Sequence, residues 1–229
     1  MSRVTVVSGR VSGALLRYVA ADALRAGRWL APGLLFLAAT LMSSAGGGSA
    51  LSSYSFTATV LLPVTVWLAV AVNNSEDPVQ TAIVVVTVGS ALSVRLAKLI
   101  VAYLTCVPLA AIGVVWPLAT GHPANGTAVL VGVASHLLVV LAGVAVSSLL
   151  SHPVIDAMAW VVVLGVAFCL VEVIVPGFPP LRQLLVLLAG DGRPTLSGAA
   201  IRLGLISAET LLLSTVTVTI AHRIARSRT

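Results

Sequence analysis

Three ionisable residues stand inside long apolar runs of this chain, where a charge is costly: His136, Glu172 and Glu209. A carboxylate or imidazole at membrane depth lines a substrate path, relays protons or is satisfied by hydrogen bonds between helices. Glu209 lies close to Ser207 and Thr210 with no neighbouring cation in sequence, so it leads as a path residue. His136 sits near the middle of its run, and both readings stay open for it. Glu172 lies near the end of its run, where an ion pair with Arg182 or Arg202 is expected. A second group, Glu76, Asp77, Pro78, Gln80 and Thr81, falls between two apolar segments. Pro78 suits the first turn of a helix, and Glu76 and Asp77 complement the positive end of its dipole. As surface acids they are suited to pair with basic groups on a partner protein.

Catalytic signatures are missing from the sequence. A metalloprotease needs HExxH, whereas the histidines at 122, 136, 152 and 222 are scattered. The pairs Ser135-His136 and Ser151-His152 are adjacent, and neighbours on a helix point about 100° apart, which does not suit a serine–histidine relay. Cys106 and Cys169 lie in apolar runs without CxxC or His–Cys spacing, so no disulfide and no metal site is expected. No GxxxxGK[ST] phosphate loop occurs. The chain is therefore expected to be non-catalytic and to carry no cofactor of its own.

The elements that would position these residues are set by composition. Hydrophobic residues make up 59% of the chain and charged residues 9%, and the mean hydropathy is +1.10. A soluble domain of this size cannot cover so much apolar surface, so the bilayer must serve as part of its solvent. The net charge of +6 sits at span ends and termini, a pattern for anionic lipid and topology rather than nucleic acid. The expected class is all-α, a polytopic protein of six membrane spans. Residues 1–13 are polar and basic, and no signal peptide is expected. Residues 14–28 read as an amphipathic helix, with Arg17, Asp22, Arg25 and Arg28 opposite Leu15, Leu16, Val19, Ala20, Ala23 and Leu24. Spans are expected at about 29–46, 54–73, 94–119, 127–150, 157–175 and 200–221, with turns at 46–53 and 121–126 and a short connection at 151–156. An arm at 74–93 separates the second and third spans, and Lys98 and Arg95 are expected to snorkel at its end. Segment 177–199 holds an apolar run too short to cross a bilayer core that needs about 20 residues, and reads as a re-entrant or interfacial helix. A basic tail follows the sixth span.

Orientation follows from the lysines and arginines. With six spans, Arg3, Arg10, Arg17, Arg25, Arg28, Arg95, Lys98, Arg223, Arg226 and Arg228 share one side, against Arg182, Arg193 and Arg202 on the other. This imbalance places both termini and the arm in the cytoplasm of a cell whose inner (plasma) membrane holds the chain.

The order of these elements resembles the permease subunit of type-2 ABC exporters. The arm carries the local match: Glu76, then Gln80-Thr81, the apolar stretch Ile83 to Val86, the turn Gly89-Ser90, and Lys98 opening the third span. Pro78 stands near a position where that family commonly has glycine, and the apolar stretch is unusually β-branched. The small haem-exporter permease of cytochrome c maturation shares the same length and layout. The resemblance implies that the arm is a coupling helix seated on a separate ATPase chain, which would hold the ATP and magnesium. It also implies a second permease, identical or not, and cargo of hydrophobic or amphipathic character. A proton-coupled secondary transporter using Glu209 and His136 is the alternative, although no repeat between the halves is evident.

Overall fold

The computed structural model describes residues 11–43, 49–122, 124–176, 178, 180–189 and 196–227, and every regular element among them is helical. In chain order these are α1 (Gly13–Arg25), α2 (Leu30–Ser43), α3 (Ala50–Asn73), α4 (Pro78–Val88), α5 (Ala91–Ala119), α6 (Gly126–Ser147), α7 (Met158–Ile174), α8 (Leu181–Leu188) and α9 (Leu196–Ser227). Valine- and leucine-rich runs do not mark their own ends, so polar caps do it. The side chains of Ser12, Ser49, Asp77, Ser90 and Asn125 each accept a backbone N–H from the first turn of α1, α3, α4, α5 and α6, which satisfies donors the helix itself leaves open.

α3 is the central helix, packed against α2, α5, α6, α7 and α8. Close approach at two places depends on glycine. A Cβ on Gly132 would lie 2.7 Å from the Tyr54 ring of α3, and one on Gly143 would lie 2.8 Å from Thr65. Small residues of this kind let apolar helices meet backbone to backbone where lipid gives no hydrophobic drive for association. α9 rests on α6 and touches α8. Large apolar side chains on α2, α7 and α9, among them Leu34, Met42, Trp160, Val166, Ile201 and Leu212, stay exposed. Such faces need a bilayer or another protein to cover them.

Several expected boundaries move. The amphipathic helix stops at Arg25, and Gly27 (φ 64°) turns the chain in the left-handed region, so α1 and α2 meet at 74°. Residues 50–53 of the expected turn already belong to α3, while 44–48 lie outside the described residues, as do 177, 179 and 190–195 of the segment expected to re-enter. Its described part forms the eight-residue α8. The basic tail is helical through Ser227, because α9 runs on for 32 residues. By length and composition four helices can cross a membrane (α3, α5, α6 and α9), or five if the bent α1–α2 pair is one span. The expected count of six is not reached on this measure because α7 has 17 residues, roughly 25 Å against a core of about 30 Å, and α2 has 14 described residues.

The helices share two ends. At one, Leu187 and Leu188 of α8 cluster with Ala50 and Tyr54 of α3, Val114 of α5, Val131 of α6 and Ala199 of α9. At the other, Arg28 donates to the Asn74 carbonyl (2.9 Å), Gln80 donates to the Tyr18 hydroxyl (2.8 Å), and the His152 backbone N–H donates to Asn74 Oδ1 (3.1 Å). The α1–α2 junction, the arm and the 148–153 connection therefore converge. This second end gathers Arg28 with Arg95, Lys98 and Arg226.

Candidate functional site

The five arm residues are brought together at the start of α4, but not as a row of surface acids. Asp77 is the N-cap: its Oδ1 accepts the Val79 N–H at 2.8 Å, with Pro78 at the first helical position. Pro78 loses nothing there, since a first-turn N–H has no partner within the helix. Glu76 turns inward. Its Oε2 lies 2.8 Å from Lys98 Nζ on α5, and the two side chains are 1% and 8% exposed. Thr81 closes the cluster, donating its hydroxyl to Glu76 Oε2 (3.0 Å) while accepting from Lys98 (3.3 Å), and Lys98 reaches the Asn73 carbonyl at 3.4 Å. The expectation that Glu76 faces a partner and that Lys98 snorkels is thus corrected: each neutralises the other beneath the arm. Arg95 does not snorkel either. Its guanidinium donates to the Ala221 carbonyl of α9 (2.7 Å) and the Ser148 carbonyl at the end of α6 (2.8 Å).

One outward stripe of α4 is apolar. None of its residues is buried, and Val79, Ile83 and Val86 are 69%, 62% and 82% exposed. Their spacing of four and three residues puts them on one stripe. Gly89 ends the helix at φ 73°, where its N–H returns to the Val85 carbonyl, a left-handed cap that glycine adopts without steric cost. The stripe is a short helical face at the basic end of the bundle, attached by an ion pair and by the Gln80–Tyr18 bond.

His136 lies in the core of the bundle, with 0% exposure. Its Nδ1 is 2.8 Å from the Gly132 carbonyl, which only accepts, so Nδ1 carries the proton. Nε2 lies 3.0 Å from the Thr57 hydroxyl of α3. The Tyr54 ring meets the imidazole edge to face, with centroids 6.0 Å apart, and a Cβ on Gly113 of α5 would lie 2.8 Å from Nε2. Three helices therefore close around this residue. Thr57 and Tyr54 escaped notice in the sequence because hydroxyl residues within a span are unremarkable until a partner is known.

Glu172 and Glu209 both meet the first turn of α8. Glu172 is 1% exposed, and its carboxylate accepts the Leu181 N–H at 3.0 Å. It caps the first turn of α8, in place of the Arg182 or Arg202 partner that its position suggested. Pro180 at that N-cap supplies no side-chain hydrogen bond, so the carboxylate comes from α7. Glu209 is exposed on α9, and Gln183 of α8 donates to its Oε2 at 2.9 Å. His136 does not join them, since its partners lie on α3 and α6. Among the described residues no cluster of three or more His, Cys, Asp or Glu is placed to hold a metal.

No protein-family model, curated protein or solved structure matches this chain.

Proposed function

We propose that this chain is the membrane permease subunit of an ATP-driven exporter, resembling the type-2 ABC class, and that α4 is its coupling helix. The observation that carries the reading is the exposed Val79–Ile83–Val86 stripe on a helix fastened to the bundle. An apolar stripe on an otherwise polar-capped helix suits a cleft in a soluble partner. The Glu76–Lys98–Thr81 cluster gives the partner a lever: a push on α4 passes to α5 through Lys98 and to the end of α3 through Asn73, rather than being absorbed in a loose loop. In this reading α2, α3, α5, α6, α7 and α9 are six crossings, α1 lies at the cytoplasmic headgroup level, and α8 is partly inserted at the outer face. Both termini are then cytoplasmic in the plasma membrane. ATP and magnesium belong to the partner, a second permease completes the path, and cargo is hydrophobic or amphipathic.

The test is extraction of the tagged full chain in mild detergents, pull-down and mass spectrometry. A stoichiometric soluble chain with a phosphate loop is the expected companion. The variant Val79→Ser, Ile83→Ser, Val86→Ser is expected to insert and fold normally, because these side chains are exposed, yet to lose that companion. Recovery of the chain alone across all detergents would sink the exporter reading.

A further inference from the structure

A cavity of about 400 Å³ opens at the basic end of the bundle, between α4, the start of α5, the 148–153 connection and the end of α9. Its walls are chemically divided. Val85, Val86, Val94 and Ala225 form an apolar side, while Arg95 and Arg226 bring two guanidinium groups, and Arg226, like Arg95, also has a partner of its own. His222 lines the same cavity. Lys98 also lines the cavity but is neutralised by Glu76, and His152 faces Asp156 at 3.5 Å. No aspartate or glutamate is among the described residues that line it. Arg95 is held in position by the Ala221 and Ser148 carbonyls, which occupy two of its five N–H donors.

We propose that this cavity binds a phosphate group carried on an amphipathic molecule, with the phosphate on Arg95 and Arg226 and the aliphatic part along the valine wall. Two guanidinium groups in a partly closed, apolar-backed site favour an oxyanion that accepts several N–H bonds at once. The same chemistry is offered by an anionic lipid headgroup and by a free phosphate. Basic pockets between helix ends at a membrane surface suit the former. The site rests on side-chain placement alone and does not require the exporter reading.

The test uses the purified full chain, with three probes: dioleoyl phosphatidylglycerol, dioleoyl phosphatidylcholine and inorganic phosphate. Thermal melting in detergent reads stabilisation, and native mass spectrometry reads bound lipid. Phosphatidylglycerol is expected to raise Tm saturably and to remain bound, and phosphatidylcholine to do neither. Arg226→Gln should weaken binding about fivefold, the effect of one basic group near a lipid phosphate. Arg223→Gln, on the same helix but outside the cavity, should leave it unchanged. Ala225→Trp, which fills the space and keeps the charges, should abolish binding. A saturable rise with inorganic phosphate alone assigns the site to a soluble phosphate compound instead of a lipid. Equal response to both lipids with none to phosphate overturns the proposal, and so does equal loss in Arg223→Gln and Arg226→Gln.

Discussion

At the scale of single residues, several buried polar groups are answered from another helix. Glu76 and Lys98 form a buried pair, and such pairs are most sensitive to the loss of one member, which strands the other charge away from water. Lys98→Met is therefore expected to destabilise the protein by about 3 kcal/mol, and adding Glu76→Gln should restore part of the loss, a coupling measured by thermal melting of the single and double variants. The glycine beneath Tyr54 gives a second expectation. A Cβ on Gly132 would stand 2.7 Å from the ring, so Gly132→Ala should cost about 1–3 kcal/mol through overpacking. Tyr54→Leu in the same chain should relieve most of it. Equal melting temperatures for the wild type and Gly132→Ala would mean that α3 and α6 can separate without penalty.

Among the elements, α4 has the least tertiary support, since it packs on α5 alone by any substantial contact and buries none of its side chains. Its helicity depends on its ends: the Asp77 cap, Pro78 and the left-handed Gly89. Removing the cap by Asp77→Ala is expected to cost about 1 kcal/mol. The loss should appear as faster amide hydrogen exchange over 79–88 with little change in α3 or α6. Slower or unchanged exchange there would show that the Glu76–Lys98 contact, and not the cap, holds the arm. α8 is built differently. Four of its eight residues, Leu181, Leu184, Leu187 and Leu188, are buried, and Glu172 caps it from another helix. It is thus tied to the bundle from both its start and its apolar face.

For the molecule as a whole, the number of bilayer crossings turns on α7. The structure supplies four helices of sufficient length, or five with the bent pair, and α7 is the decisive one. If α7 crosses, single cysteines at Asp156 and Phe178, in a background lacking Cys106 and Cys169, should react with a membrane-impermeant maleimide from opposite sides. Labels at Asp77 and Ser227 should then react from the same side, and one at His122 from the other. Labelling of 156 and 178 from one side would reduce the count and reverse α8 and the start of α9 relative to α3.

Hydropathy along the chain was enough to give an all-helical fold with several helices apolar enough to cross a membrane. Hydropathy is a property of each residue, summed over a run, and survives without knowledge of neighbours. Pro78 in the first turn of α4 was legible for a similar reason, because a helix start is settled within a few residues, whereas Ser49 and Asn125, which cap α3 and α6, read only as parts of turns. Tertiary structure alone decided the partner of each polar group. Glu76 and Lys98 are 22 positions apart, His136 meets Thr57 across two helices, and Glu172 finds a backbone N–H rather than an arginine. Helices of similar hydropathy can slide or rotate against one another at little cost in lipid. Which polar side chains meet is settled by register, and register here is set by the glycine contacts at 113, 132 and 143, a property of pairs of helices that neither helix carries in its own sequence.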